Sequence, residues 1–595
     1  MSVIGELRKM PEARSGALAP LKQIGLQRGG RTFVRALIQS GFKKDQIARQ
    51  FMLAFWKNLG KTEAIIDGEN RLSFAEFRTR VLRLANVMND LGLQSGDAMA
   101  ELLYNGSTWF EAMGACTVMG IHMPMLNWHL RSKELAHCIN ASKPKILLFD
   151  VGFLEKIEPI INEIPSVKHF IIVGAEVVPD GMLAFEDLMA SANSDTLPPG
   201  KFDMAPRPFS GGTTGTPKYM NINRDRLSSD SEKDRRGASK EEVQHLLLMQ
   251  LTAFHWYKLG KIKDPKSHNV RSLIPGPLYH AGVQVGVLPF FVGGTVVPMH
   301  RFTPEGFLQL IEQERINWVF VAPTMLERIL ALPEEVKCRY NLSTMQTLIC
   351  AAAPCHPNVK QGINALFRQQ GAPADIFHEY YAASETGLVS ILAPEDYKDH
   401  PERYKSVGKI RGCNCRIYDP DTGKWAPSGK EGKVIMRTPM VFGLEYAGVD
   451  EEKMLENFVE VEDQLWYDDG LIGYVDDDGY LYLTSRVKEM IITGGVNLFP
   501  NEIEDVIKFH PKVLDVAVVR APDKDLGEIA AAVIQLKEGE ESSADEILEF
   551  CKEKGLYGFK LPKIIEFGNL PRNLAGKLPK KEVEARFWKD EESFG

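Results

Sequence analysis

The nine residues from Ser210 to Lys218, SGGTTGTPK, are the part of the chain whose types and spacing point most directly to chemistry. Adjacent glycines, two threonines, a third glycine and a lysine can form a turn whose backbone N–H groups and hydroxyls surround phosphate oxygens. The segment is not a Walker A loop, because Lys218 does not directly follow a glycine and is followed by Tyr219. A Gly/Thr turn with no ligand has the same composition, so the stretch alone leaves both readings open. A second stretch, WYDDGLIGYVDDDGY (466–480), carries Asp468, Asp469, Asp476, Asp477 and Asp478. A calcium loop places oxygen ligands at alternate positions, a glycine at the sixth and a bidentate Glu at the twelfth. With Gly479 sixth, Tyr474 would be first and Ser485 twelfth, and neither fits.

The elements that must position these residues are α/β in pattern. From about Glu63, the run AEFRTRVLRLANVMNDLGL has helical periodicity. PKILLFD, HFIIVGA, INWVFVAPT and MQTLICAAAP are short apolar runs bounded by turn residues. Such runs, alternating with helical stretches, predict buried, mostly parallel strands. The segment 224–242 is charged and nearly free of large apolar residues, which predicts an exposed or mobile excursion. After Tyr480, strand-like YLYLT and EMIIT lead into a helix at NEIEDVIKFH, then strand-like VLDVAVVRA and AAAVIQL. This is a compact α+β unit of about 110 residues. Three regions are expected: an N-terminal extension (1–60), a large domain (61–485) and a small C-terminal domain (486–595), with the boundary near Arg486–Lys488.

A chain of 595 residues exceeds one comfortable core, consistent with that division. The net charge of −8 gives no reason to expect a nucleic-acid partner. The eight cysteines are scattered, and the close pair Cys413 and Cys415 lacks a second pair at zinc-site spacing, so reduced thiols of a cytosolic protein are expected. No apolar run reaches the ~18 residues of a spanning helix, and the first residues do not read as a secretory signal. Charge is nevertheless uneven. Residues 1–61 hold twelve Lys/Arg against three Asp/Glu. There Phe33, Leu37, Ile38, Phe51, Phe55 and Trp56 recur at roughly helical spacing, while Arg28, Arg31 and Arg35 line another face. A basic amphipathic helix of this kind can lie on an anionic membrane or pack on an acidic body, and both readings stand.

The motifs fall in a fixed order: SGGTTGTPK, GPLYHAGVQ (276–284), CAAAPC (350–355), YYAASETG (380–387), SVGKIRG (406–412), EGKVIMRTP (431–439), SRVKEMIITGG (485–495) and LPRNLAGKLPKK (570–581). The series resembles the adenylate-forming superfamily of acyl-CoA synthetases, luciferases and nonribosomal-peptide adenylation domains, from about Lys61 to about Trp588. The resemblance implies a large N-terminal α/β domain with mixed sheets and a small mobile α+β lid, with the active site between them. It implies that Ser210, Gly212, Thr213, Thr214, Gly215 and Lys218 hold the β- and γ-phosphates of ATP. It implies that Ala352 borders the nucleotide, Tyr381 stacks on adenine, Ser384 bonds the α-phosphate and Glu385 ligates Mg²⁺. One carboxylate suits Mg²⁺, which prefers phosphate oxygens and water for the rest of its shell. His280 would orient the reacting carboxylate, and Lys577 would reach the α-phosphate and carboxylate oxygens, placing a cation between two anions. Arg486 would contact the ribose, Lys488 would be the hinge, and Gly494 and Gly495 would line the passage for the CoA thiol arm.

The expected activity is ATP- and Mg²⁺-dependent ligation of a carboxylic acid to CoA through an acyl-adenylate. The apolar runs AGVQVGVLPFF and CAAAPC beside the expected pocket favour a medium-to-long fatty or other bulky hydrophobic acid. A cytoplasmic enzyme is expected, with membrane contact through residues 1–60 left open. Two alternatives stand beside it: an adenylating enzyme with a different second step, and a weakly active acyl- or nucleotide-binding protein. The second is motivated by Leu471. The family's Trp/Tyr-aromatic-x-Thr-Gly-Asp-x-Gly-Tyr, aligned without gaps, puts Leu471 where an aspartate would accept from the ribose hydroxyls, and Asp469 where a threonine stands. Leucine cannot accept that bond, and Asp469 or Asp468 would have to supply it. Asp476–Asp478 then read as a solvated hairpin turn.

Overall fold

The protein is described from a computed structural model covering residues 9–17, 44–209, 218–222, 240–259, 269–280, 283–447, 449, 451–486, 489–493, 496–523, 526–572 and 578–588. The buried apolar runs form strands. Trp318–Val321 and Thr347–Cys350 are fully buried members of one long sheet, and Ile146–Asp150 and His169–Val173 belong to a second. In the long sheet Glu63–Asp67, Thr295–Pro298, Arg271–Ile274, Trp318–Val321, Thr347–Cys350 and Phe377–Ala383 run parallel to their neighbours in that order. At the hairpin of Phe377–Ala383 and Gly387–Leu392 the pairing turns antiparallel. It stays so through Gly408–Ile410, Tyr480–Arg486, Gln464–Val475, Gly432–Arg437 and Asn414–Asp419. The second sheet, Met99–Leu102 with Ile146–Asp150, His169–Val173 and Met182–Ala184, is parallel throughout.

Helical periodicity is realised in Phe74–Asp90, which starts at a capping box: Ser73 Oγ accepts from Glu76 N at 3.2 Å and Glu76 Oε2 accepts from Ser73 N at 2.8 Å. Its buried face meets the helix Ser107–Met119. Beyond Arg486 the chain builds a smaller α+β unit. The strands Ile491–Thr493, Val496–Leu498, Val513–Asp523, Gly527–Leu536 and Ile564–Phe567 form one five-stranded sheet. Pro500–Lys508 and Ala544–Glu553 bury Ile503, Ile507, Ile547 and Cys551 against it. The architecture is a large N-terminal α/β domain with mixed sheets and a smaller C-terminal domain.

Of the charged excursion, residues 223–239 lie outside the described residues. From Lys240 the chain is helical to Gln250 and buries Val243 and Leu246. Of the basic N-terminal segment, Arg28, Arg31, Phe33, Arg35, Leu37 and Ile38 lie outside the described residues, but Phe55 and Trp56 do not face solvent. The helix Lys44–Leu59 inserts both into the main core. The Trp56 ring meets Phe77 edge-on at 5.0 Å, and Phe77 meets Phe290 the same way at 5.0 Å. Gly114, on the facing helix, leaves the room: a Cβ there would lie 2.7 Å from Val81 and 3.1 Å from Phe77. The shorter helix Pro11–Ala17 packs on Thr252–Trp256, with Trp256 Nε1 donating to Glu12 Oε2 at 3.0 Å. Among the described residues no helix is long and apolar enough to cross a membrane.

One buried acid lies in the second sheet. Glu101, on Met99–Leu102, accepts from Leu103 N and Trp109 Nε1 at 3.2 Å each. Burial pushes its carboxyl up to about 8, more than these two donors pull it back. A pKa raised on folding contributes stability that is fully present below the ordinary value of 4.5 and is lost as pH rises through about 8. Glu101→Gln is therefore expected to flatten the fall of unfolding free energy across that window, read from denaturant melts at several pH values. An unchanged slope would count against this assignment. Trp56→Ala is expected to destabilise the large domain by about 3–5 kcal/mol. A loss under about 1 kcal/mol would mean that the N-terminal helix packs only loosely.

Candidate active site

In a parallel sheet covered on both faces, side chains that can meet a ligand collect in the loops beyond the carboxyl ends of the strands. Three such loops follow strands of the parallel stretch here. Arg271–Ile274 leads into Gly276–His280, Thr347–Cys350 into Ala351–Cys355, and Phe377–Ala383 into Ser384–Thr386. His280, Ala352, Ser384 and Glu385 thus share one end of the sheet.

Each loop is held by identifiable bonds. Asn105, almost fully buried, receives Leu278 N at 2.8 Å and donates to Gly276 O at 2.7 Å and Met299 O at 3.1 Å, which fixes the backbone carrying His280. Ala352 sits at φ 78°, in the left-handed region that a residue with a Cβ enters only at a cost of about 1–3 kcal/mol. The hairpin tip is clamped by Thr386, whose hydroxyl accepts from Ala383 N at 3.0 Å. Gly387 has φ 66°, and a Cβ on it would stand 3.2 Å from Gln250 Oε1. Gln250 uses the closeness that glycine permits. Its amide oxygen accepts from Leu388 N at 3.0 Å, and its Nε2 donates to Leu388 O at 3.0 Å and Gly412 O at 2.7 Å. Lys360 and Glu379 form a buried ion pair behind the same strand, and Lys360 also donates to Ser406 O at 3.1 Å.

Lys218 reaches this end of the sheet from the segment that follows the Gly/Thr stretch. Met220–Ile222 pairs antiparallel with Leu444–Tyr446, with Met220 opposite Tyr446. Lys218 Nζ lies 5.6 Å from the Tyr446 ring centroid, and the Tyr446 hydroxyl donates to Glu385 Oε1 at 2.7 Å. Burial, and next the charge of Glu385, hold the Tyr446 hydroxyl far above its ordinary pKa, so it remains a donor. Tyr467, close to Glu385 and Asp469, is raised for the same reasons. Among the described residues no group of three His, Cys, Asp or Glu could enclose a metal. What is present is one carboxylate with a lysine one tyrosine away. That set fits a hard divalent cation taking most of its ligands from phosphates and water.

The acidic stretch divides as its two groups of aspartates suggest. Asp476–Gly479 is the turn between Gln464–Val475 and Tyr480–Arg486. Asp476 Oδ1 accepts from Tyr480 N at 2.8 Å, and Asp478 pairs with Arg403 at 2.5 Å. In the first group, Asp468 is engaged with Lys433 at 2.9 Å and with Gly470 N at 2.8 Å. Asp469 points elsewhere: it accepts from the Tyr381 hydroxyl, while its other oxygen accepts from Leu471 N at 3.3 Å. Gly470, at φ 77°, gives the strand the local kink at which this happens. Leu471 packs with Tyr381 against the cluster of Cys413, Cys415 and Tyr467, and its backbone is paired with that of Arg486. Tyr381, Asp469 and Leu471 therefore meet.

Val285, Ile349, Ala351, Leu388 and Tyr257 belong to one buried apolar cluster, with Tyr380 packed against it. Ser210, Gly212, Thr213, Thr214, Gly215, Lys488, Gly494, Gly495 and Lys577 lie outside the described residues, and so does the side chain of Arg486. Tyr446, Gln250 and Asn105 carry no signal in the sequence. Their importance comes from partners far along the chain, and each alone is an ordinary aromatic or amide residue.

A family model described as AMP-binding enzyme matches residues 54–444, and one described as AMP-binding enzyme C-terminal domain matches residues 502–577. A putative acyl–CoA ligase, YdaB of Bacillus subtilis, is 28% identical over 88% of this chain and 96% of its own. A feruloyl-CoA synthase of an Amycolatopsis species is 29% identical over the same shares. Among solved structures, ATP-bound MatB from Rhodopseudomonas palustris is 25% identical with a TM-score of 0.70, covering 89% of this chain and 96% of that one. The amide bond synthetase McbA from Marinactinospora thermotolerans, 24% identical with a TM-score of 0.73, covers 89% and 98% and shares the fold. With a motif series, an architecture and a family model that agree along the chain, the protein belongs to the AMP-binding enzyme family and is an AMP-forming acid–thiol ligase on the adenylate-forming fold.

Proposed function

We propose that the protein is an ATP- and Mg²⁺-dependent acyl-CoA ligase that activates a hydrophobic acid, a medium-to-long fatty acid or another bulky one. The observation that carries the reading is the meeting of Lys218, Tyr446 and Glu385 at the carboxyl ends of the parallel strands. The acid's carboxylate is already ionised at neutral pH, so the first step needs alignment and charge neutralisation rather than a base. Its oxygen attacks the α-phosphorus of ATP in line, and the bond to the pyrophosphate oxygen breaks. We assign Lys218 and the Gly/Thr stretch to the β- and γ-phosphates, and Lys577 to neutralising the attacking carboxylate and the α-phosphate as they approach. Glu385 would hold Mg²⁺, which when bound neutralises phosphate charge. The CoA thiolate then attacks the mixed anhydride's carbonyl and expels AMP, with His280, on its Asn105-anchored loop, orienting the acyl group. Ala351, which opens the loop after Thr347–Cys350, belongs to an apolar cluster with Val285, Ile349 and Leu388, and this supports a hydrophobic acid.

The ribose contact passes from position 471 to Asp469. Asp468 is committed to Lys433 and Gly470, whereas Asp469 is held by the hydroxyl of Tyr381, the residue read as the adenine platform.

Incubating the enzyme with a panel of fatty and aryl acids, ATP, Mg²⁺ and CoA should yield AMP and a thioester together, read by mass spectrometry. AMP without thioester would point to a different second step, and neither product would point to a binding protein. Lys577→Ala should abolish acyl-adenylate formation while ATP binding stays detectable; unchanged pyrophosphate release would sink the role given to Lys577. A charge-assisted bond of about 1.5–3 kcal/mol predicts that Asp469→Asn raises the ATP KM by roughly ten- to a hundredfold. Leu471→Asp should lower KM by much less, because its role is already filled. A large drop in KM with Leu471→Asp, and none of the rise with Asp469→Asn, would return the missing contact to position 471.

A further inference from the structure

Among the described residues, Tyr446 lies against both Lys218 and Glu385. It ends the three-residue strand Leu444–Tyr446, which pairs with Met220–Ile222, so the backbone that carries Lys218 and the backbone that carries Tyr446 are stitched together. Ala447 N donates to Tyr219 O at 3.0 Å and extends the stitch by one bond. The Tyr446 ring lies 5.6 Å from Lys218 Nζ, within reach of a cation–π contact, and its hydroxyl donates to Glu385 Oε1 at 2.7 Å. A phenol has a single proton to give. Given to Oε1, it fixes the carboxylate plane and leaves Oε2 for a further ligand. Glu385 stands on the hairpin tip, Lys218 lies two residues before the strand Met220–Ile222, and Tyr446 lies against both.

We infer that Tyr446 is a positioning residue that sets the metal-binding carboxylate and the phosphate-binding lysine in register, so that metal and nucleotide bind as one unit. The inference rests on the reading of Glu385 as the Mg²⁺ carboxylate. Its two halves separate by substitution. Tyr446→Phe keeps the ring beneath Lys218 and frees Glu385 to turn, whereas Tyr446→Leu removes both contacts.

The test uses the full chain with a non-hydrolysable ATP analogue. Mn²⁺ binding is followed by electron paramagnetic resonance, and binding of the metal-free analogue by calorimetry. Losing an orienting bond to a charged group predicts about a tenfold weaker Mn²⁺ affinity for Tyr446→Phe, with metal-free nucleotide affinity unchanged. Tyr446→Leu should weaken both. In turnover, Tyr446→Phe should raise the Mg²⁺ concentration for half-maximal rate while kcat at saturating Mg²⁺ stays within about twofold, a split that a folding defect would not produce. Glu385→Gln distinguishes the two levels of the argument. If Glu385→Gln loses Mn²⁺ affinity and Tyr446→Phe does not, the role of Tyr446 is wrong and that of Glu385 stands. If Glu385→Gln itself leaves Mn²⁺ binding unchanged, the reading of Glu385 fails and the inference falls with it. Tighter Mn²⁺ binding by Tyr446→Phe would also overturn it, because the hydroxyl would then be competing with the metal.

Discussion

A carboxylate that must face the phosphates of a nucleotide cannot be held in place by a neutralising cation without losing the charge it is there to use. It also cannot be left loose beside other anions, because like charges in a partly desolvated cleft push each other toward solvent. A neutral donor resolves the conflict: a buried hydroxyl orients the acid and leaves its charge intact. Glu385 is held by Tyr446 in this way, and Asp469 accepts from Tyr381. Both tyrosines are buried enough to keep their protons, through desolvation first and the neighbouring carboxylate second. The placement of the hairpin tip, the kink at Gly470 and the short strand ending at Tyr446 all serve to bring a hydroxyl to an acid.

This arrangement works only if the hairpin itself does not move, and much of the surrounding structure answers that need. Phe377–Leu392 is where the long sheet passes from parallel to antiparallel pairing, so its two strands are bonded to opposite kinds of neighbour. Behind it, Arg411 makes two bonds of 2.8 Å to Asp396, the Tyr480 hydroxyl adds a third at 2.8 Å, and the Trp256 ring lies 3.7 Å from the guanidinium. Asp396 is buried, which alone would raise its pKa, yet the guanidinium outweighs burial and holds the carboxyl below its ordinary range. These ionic groups are satisfied on all sides, the condition under which burying charge does not destabilise. Arg411 also donates to Ile391 O, which ties this neutralised cluster to the second strand of the hairpin.

The fold was legible in the sequence to the extent that one local pattern decided each element. Strands covered on both faces are continuous apolar runs, and INWVFV and MQTLIC could hardly be anything else. The capped helix from Phe74 shows its start in Ser73 and Glu76. For Ser384 and Glu385 the sequence offers only a motif within an ordered series, and the fold places both in the loop after Phe377–Ala383. What local pattern could not decide was anything settled by a distant surface. Phe55 and Trp56 have the same spacing whether a membrane or a core receives them, and the deciding feature is the space left by Gly114 on another helix. Tyr446 gains its role from Met220, more than two hundred residues earlier, and Gln250 from strands beyond residue 380. Leu471 could be recognised as a departure from the motif, but that Lys433 takes Asp468 while Asp469 accepts from Tyr381 could not.

The small domain meets the large one through charges of the buried, satisfied kind. Lys508, at the end of its first helix, donates to Glu327 of the large domain and to Asp515 at 3.0 Å, and Arg572 also pairs with Asp515. Burial would lower the Lys508 ammonium, but the two carboxylates outweigh it, and Asp515 is held low by Lys508 and Arg572 in turn. His356 meets Asp505 at 2.5 Å, and Asn358 donates to the carbonyl of Lys508 at 3.3 Å. A buried ion pair contributes little over an apolar contact of the same shape, but breaking one by removing a partner is costly. Its energy is steep in geometry where that of an oily interface is shallow. An interface made this way specifies an orientation more than it adds affinity. Apolar packing holds each domain together internally, and paired charges cross between the two.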